Sequence, residues 1–305
     1  MTEPPGAPAD LVVREAPGLH AALRELAERG RLVFVAGLPG TGKSLLLHQL
    51  AHLAHGRGRP VHLLQWDVAR PVFEASGPGR RYPQDRGVTH GVIRLAVGRW
   101  ARQALARWDR AHPGGEHLLI GETPLVGHRL VELTRPADDA AEPLLAADGT
   151  WFVVPVPSRE VRRHLEAERA RRAGRPLHPR ETEDAPPAVL HDLCRQLVSV
   201  AHALGIAAAP PAPGAEVPYD PDIYQRVYAR LLARRRRRTL PLDTVLPTAA
   251  LSVYDFRVPT RDLVPTEDEA AGFVEAVAAR YGDPEALRQE IERWWVVPHE
   301  TEARR

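Results

Sequence analysis

Leu19, Leu23 and Leu26 recur at helical spacing with charged residues opposite, which predicts an amphipathic helix from Pro17 to a stop at Gly30. Arg31–Ala36, apolar from Leu32 onward, then reads as a short buried strand. A glycine-rich turn follows it, and after the turn an apolar helix from Ser44 to His55. Val61–Gln65 predicts a second strand ending at Trp66-Asp67, and His90–His112 a long amphipathic helix ended by Pro113-Gly114-Gly115. His117–Ile120 and Trp151–Val154 read as two further strands. Helical patterns follow over Arg159–Arg175, Pro186–Leu204, Ile223–Arg238, Glu267–Tyr281 and Pro284–Trp294. Short apolar strands alternating with helices predict an α/β fold, a parallel sheet covered on both faces. The Pro/Gly-rich residues 1–9 predict an unstructured start. A Pro/Ala/Gly linker over 207–221 divides the chain into an α/β domain, 1–209, and a linker with a helical C-terminal extension, 210–305.

Composition narrows the classes open to this pattern. The 305 residues carry 41 basic and 39 acidic side chains, so the net charge of +2 is not the footprint of a dedicated nucleic-acid binder. One cysteine, Cys194, excludes internal disulfides and cysteine-based zinc sites. No apolar run is long enough to span a membrane and no secretory signal is visible, so a soluble, cytoplasmic protein is expected. The chain has no asparagine and a single lysine, Lys43, against which every other basic residue is arginine. A position where a compact ammonium survives such a bias is a chemical one.

Lys43 lies in Gly37-Leu38-Pro39-Gly40-Thr41-Gly42-Lys43-Ser44, a full match to the phosphate-binding pattern G-x-x-x-x-G-K-[ST], with a strand before it and a helix after it. Glycines in such a loop let successive N–H groups face one point, so that a polyphosphate rests on the helix N-terminus. Lys43 would reach the β- and γ-phosphates, and Ser44 would offer its hydroxyl to Mg²⁺. These residues carry a resemblance to the P-loop NTPases. The AAA branch usually has an Asp-Glu pair and an Asn sensor, and the GTPase branch reads guanine with Asn-Lys-x-Asp. Here the candidate Walker B strand ends Leu119-Ile120-Gly121-Glu122, and a chain with no asparagine and one lysine holds neither the sensor nor the guanine motif.

The remaining resemblance is to the small P-loop kinases, the group of chloramphenicol phosphotransferase, zeta toxins and polynucleotide kinases. It rests on the loop, on Trp66-Asp67 directly after the second strand, and on the arginine-rich stretch from Pro157 to Arg172, which resembles a kinase lid. It implies a three-layer parallel sheet of the P-loop kinase type and transfer of the γ-phosphoryl of ATP, with Mg²⁺, to a hydroxyl or phosphate acceptor. Asp67 would take the acceptor proton, although an N-cap role for a helix at Val68–Ala75 is the plainer alternative. Glu122, one residue past the usual Walker B place, would hold the water shell of Mg²⁺ or serve the acceptor, or else mark an ordinary turn. Arg163, Arg169 and Arg172 share a helical face and are the expected lid cations, unless they pair with Glu166 and Glu168.

Other features are weighed beside these. Arg70, Arg80 and Arg81 could hold an anionic acceptor, though surface arginine is common in this chain. Arg234–Arg238 suits a solvated helix end, His48, His52 and His55 buried neutral imidazoles rather than a metal face, Trp294-Trp295 a packing anchor, and Cys194 an inert buried thiol. Two rival functions stay open: a nucleotide-dependent switch or AAA-like remodelling ATPase acting on a protein partner, and an end kinase directed at nucleic acid.

Overall fold

The computed structural model describes residues 11–85, 87–179, 181, 187–210, 217–248, 252–255 and 258–296. The expected unstructured start and residues 211–216 of the linker lie outside these. The helix Pro17–Arg29 (α1) ends at Gly30 as its pattern predicts, and leads into β1, Leu32–Ala36. Then come α2 (Lys43–His55), β2 (Val61–Leu64), α3 (Trp66–Ala75), α4 (Gly91–Ala111) and β3 (Leu118–Thr123). The chain continues through the single turn α5 (Glu142–Leu145), β4 (Thr150–Pro157), α6 (Arg159–Ala173), α7 (Pro187–Ala203) and α8 (Pro221–Leu231). It ends with β5 (Arg237–Leu242), β6 (Thr260–Asp262), α9 (Glu267–Arg280) and α10 (Pro284–Glu292).

The six strands form one parallel sheet in the order β5-β4-β1-β3-β2-β6. Alternation along β1 builds the two cores. Val33 and Val35 face a cluster with α1 and α2, whereas Leu32, Phe34 and Ala36 face the larger cluster formed with α3, α4, α7, α8 and α9. A sheet with an apolar core on each face gives the three layers expected of an α/β fold. Gly121 on β3 is required by this packing, because a Cβ there would lie 2.3 Å from the Phe34 ring, which itself stacks on Phe152 at 4.8 Å.

The segment beyond residue 210, expected to be helical, supplies both edge strands. The helix pattern from Ile223 ends at Leu231, and Arg237–Leu242 is extended rather than helical. In β5 only Leu240 and Leu242 are buried, and β6, Thr-Arg-Asp, has no apolar residue; its ladder to β2 is a backbone interaction. Strands of this kind leave almost no hydrophobic signature. β4 runs three residues past its expected end through Pro155 and Pro157. Its pairing to β1 stops at Val153, so both prolines sit where only β5 is a neighbour and the missing N–H breaks no second ladder.

Three of the five arginines in the run Arg234–Arg238 act as staples, while Arg234 and Arg237 are exposed. Arg235, 6% exposed, donates to the Leu133 and Arg135 carbonyls and grips Glu142 through two nitrogens at 2.6 and 2.9 Å. Arg236 stacks over Trp151 at 3.8 Å, and Arg238 pairs with Glu25 at 2.8 Å. Buried Arg102 completes the network, at 2.6 Å from Asp139 and 2.8 Å from Glu142. Trp294 is buried in the larger core, and burial pushes the Cys194 thiol above its ordinary range, as expected of an inert buried cysteine.

Candidate active site

The glycine-rich loop joins the C-terminal end of β1 to α2, and its own sequence shapes it. Gly40 and Gly42 take left-handed φ angles of 75° and 83°, a region that costs other residues about 1–2 kcal/mol. Thr41 Oγ1 donates to the Leu38 carbonyl at 2.8 Å, pinning the curl from within. The Gly37 N–H donates to the Thr123 carbonyl at 3.3 Å, which ties the loop to the end of β3. The first bond of the α2 ladder runs from the Leu46 N–H to the Gly42 carbonyl, 3.1 Å, so the N–H groups of Lys43, Ser44 and Leu45 precede the ladder. Those groups and the positive end of the helix dipole make an anion cradle.

Lys43, the first residue of α2, is only 5% exposed. Its Nζ donates to the Leu38 carbonyl at 3.0 Å and lies 3.2 Å from Glu122 Oε1. Burial pulls the ammonium pKa below its ordinary value, and the Glu122 carboxylate opposes that pull. The pairing follows from topology. β3 lies beside β1 with Glu122 in register with Val35, so the acid arrives two residues before the loop begins. Ser44 is the second residue of α2, beside Lys43, where its hydroxyl fits an oxygen-seeking cation such as Mg²⁺.

Asp67 sits in the first turn of α3, exposed, beyond the C-terminal end of β2. The N-cap of α3 is Gln65, so the capping role set beside catalysis for Asp67 does not apply. Because β1, β3 and β2 run parallel, Asp67 lies at the same end of the sheet as the loop, and its charge favours the protonated forms of both Lys43 and Arg129.

The lid cations divide. Arg169 is close enough to Lys43 that its charge depresses the lysine pKa. Arg163 faces away from the loop: it is exposed and folds back onto its own helix, with Nε 3.3 Å from the Arg159 carbonyl. Arg172 faces elsewhere too, 3.1 Å from Glu181 and 3.6 Å from Glu168. The residue that reaches the loop is Arg162, 1% exposed. Its Nη1 donates to the Pro39 carbonyl at 2.9 Å, and its Nε donates to Glu166 at 2.6 Å. Its guanidinium carbon also lies 5.4 Å from the centre of the Tyr219 ring. Ser158 caps α6, and the inward-facing Val161 and Leu165 set the phase of the helix. That phase puts Arg162 and Arg169, seven residues apart, on the inner side. The apolar pair was the signal from which this face could have been read.

The sequence also concealed the loop after β3. Leu125, His128 and Leu130 have φ of 61°, 59° and 60°, three left-handed non-glycine residues within six positions. Each costs of order 1–3 kcal/mol and persists only where the surroundings over-determine it. Here reciprocal backbone bonds join Leu125 and Arg129 at 3.0 and 3.2 Å. Tyr228 Oη donates to the Pro124 carbonyl at 2.8 Å, and Arg94 donates to the Gly127 carbonyl at 2.7 Å. His128 is wholly buried, its Nε2 2.9 Å from Glu132. The loop holds Arg129 half-buried, its pKa lowered by burial and raised again by Asp67. Its only glycine is Gly127, so nothing in its composition announces it.

Arg70 is paired with Glu74 at 2.6 Å, and Arg81 donates to the Pro78 carbonyl at 3.3 Å. His48 and His52 are buried on α2 while His55 is exposed, so the three do not converge as metal ligands. Comparison with known family models, curated proteins and solved structures finds no match to this chain.

Proposed function

We propose that this chain is a phosphotransferase of the P-loop kinase type, moving the γ-phosphoryl of ATP to a hydroxyl or phosphate acceptor. The observation that carries the reading is the placement of Lys43 beside Glu122, beneath a loop curled by left-handed Gly40 and Gly42 at an open helix N-terminus. An arriving polyphosphate offers Lys43 a stronger anionic partner than the Leu38 carbonyl, and frees Glu122 from pairing a cation. Ser44 would hold Mg²⁺, which when bound neutralises charge on the β- and γ-phosphates.

Each remaining residue has work that suits its position. Asp67 orients the acceptor hydroxyl and takes its proton, with the positive charge of Arg129 close enough to interact with it. Arg162 braces the loop through the Pro39 carbonyl, and Arg169 adds positive charge where it spreads over the transferring phosphoryl. Such a site supplies mainly position and electrostatics, which is what phosphoryl transfer asks of a protein.

The test is ³¹P NMR and mass spectrometry of ATP and Mg²⁺ incubated with the protein and a panel of alcohols, nucleosides and nucleotides. A phosphorylated acceptor, lost in Lys43→Met by about 100-fold or more, is the expected result. Failure of the wild-type protein to bind ATP in calorimetry overturns the reading. Free phosphate released only when a protein partner is present favours the remodelling ATPase instead.

A further inference from the structure

At the opposite end of the sheet from the glycine loop, three histidines from separate elements converge. His62 is the second residue of β2, His112 follows the last turn of α4, and His117 immediately precedes β3. One ring nitrogen from each lies within 4.8 Å of the other two. His62 Nε2 and His117 Nδ1 are 3.0 Å apart, and the ring centres of His62–His112 and His112–His117 are 4.5 and 4.4 Å apart. His62 is 3% exposed, while the other two rings are part-buried and leave a side open to solvent.

We infer that His62, His112 and His117 bind a borderline divalent transition metal, zinc(II) foremost. A tetrahedral ion with Zn–N bonds of about 2.0–2.1 Å sets its ligand nitrogens about 3.3–3.4 Å apart, so the widest separation, up to 4.8 Å, would close by about 1.4 Å while the 3.0 Å His62–His117 contact opens by about 0.3 Å. The His62–His117 contact is one in which a shared proton can give way to the metal. His112 Nδ1 lies 3.0 Å from the Trp108 carbonyl, which fixes the proton there and leaves Nε2 with its lone pair. Metal-bound histidines are oriented by second-shell acceptors of this kind. Three imidazoles and no carboxylate in the triad suit zinc, copper or nickel rather than Mg²⁺ or Ca²⁺, which demand oxygen ligands.

Charges of both signs surround the triad, and Arg59 donates to the His117 carbonyl at 3.1 Å. Arg31 lies over Trp108 and pairs with Asp109 at 2.8 Å, Arg261 of β6 is in register with His62, and Glu116 adjoins His117. The fourth position is left to water. The site is independent of the phosphate loop, because five residues of extended chain, about 17 Å, separate His117 from Glu122. A metal here would clip β2, β3 and the end of α4 together. The sequence conceals it, since only His112 and His117, flanking Pro-Gly-Gly-Glu, are close along the chain.

The experiment titrates the full chain, stripped with chelator, with Co²⁺ while following the visible d–d bands, and then displaces the cobalt with Zn²⁺. One equivalent with tetrahedral intensity is expected, undisturbed by excess Mg²⁺. Affinity should fall by more than about tenfold in His112→Ala and in His117→Ala. No binding by the wild-type protein overturns the inference, as does binding that persists undiminished in the His112→Ala/His117→Ala double variant. Should the variants not fold, zinc-edge X-ray absorption on the wild-type protein decides. Three imidazole nitrogens at about 2.0 Å support the site, and a shell of oxygens alone refutes it.

Discussion

Gly37 offers a test of how α8 is built against the phosphate loop. A Cβ at that position would lie 2.5 Å from the Tyr224 hydroxyl and 2.8 Å from Thr41 Oγ1, where ordinary contact begins at 3.4 Å. Gly37→Ala must therefore open about 0.9 Å on one side and about 0.6 Å on the other. Neither neighbour gives way easily. Tyr224 is 0% exposed and lies between Tyr219 and Tyr228, with ring centres 5.5 and 4.7 Å away, and Thr41 is held by its bond to the Leu38 carbonyl. Overpacking of this kind costs about 1–3 kcal/mol. Removing the nearer obstacle should return part of that cost. Gly37→Ala/Tyr224→Phe is thus expected to be less destabilised than the two single changes summed, by at least about 0.5 kcal/mol. Urea unfolding followed by circular dichroism measures all four corners of the cycle. Gly42→Ala is the control. With φ of 83° but only an ordinary 3.5 Å contact to Leu242, it should cost about 1–2 kcal/mol that Tyr224→Phe does not relieve. Strict additivity in the Gly37 cycle would mean that Tyr224 does not press on the loop, and the packing argument would fail.

Other consequences can be checked alongside. Arg162→Ala should weaken ATP binding by about tenfold in calorimetry, since it frees the Pro39 carbonyl, while exposed Arg163→Ala should leave affinity unchanged. Asp67→Asn should preserve ATP affinity and slow transfer by about 10²–10⁴-fold in a coupled assay; an unaltered rate would remove Asp67 from the chemistry. The hydrogen bond from Arg102 holds the Asp139 pKa below its usual range. At Glu142, burial pushes upward but the bonds from Arg235 and Arg102 outweigh it. Both folded values are depressed, so the stability they contribute is present above the unfolded carboxylate pKa and lost as pH falls through the folded one. Thermal unfolding midpoints should drop on acidification below about pH 4, and Asp139→Asn/Glu142→Gln should flatten that dependence.

The proposed phosphate loop could be read along the chain because its features are local. The loop from Gly37 to Ser44 needs only its own glycines, the strand before it and the helix after it. Its single lysine stands out against an arginine-rich background. Strands with a dense apolar run, β1 to β4, could be read for the same reason, since burial on both faces demands such a run. Edge strands could not. β6 presents Thr-Arg-Asp and β5 is led by arginines, so their membership of the sheet rests on backbone pairing, to which side-chain patterning is blind.

Residues that meet across the fold follow the same division. Periodicity marked Arg159–Arg175 as a charged helix, but its rotation against the sheet depends on where Val161 and Leu165 settle, and a slip of one residue exchanges Arg162 for Arg163. The partnership of Lys43 with Glu122, 79 positions apart, needed the strand order that sets β3 beside β1. The left-handed turns that hold Arg129, and the histidine triad drawn from β2, α4 and the start of β3, exist only once distant segments pack. Sequence alone determined which short segment takes the glycine-curled form proposed to cradle an anion, because that depends on the dihedral freedom of a few neighbouring residues. Tertiary structure decided which charges surround it, because long-range contacts are chosen by how two hydrophobic cores close on a shared sheet.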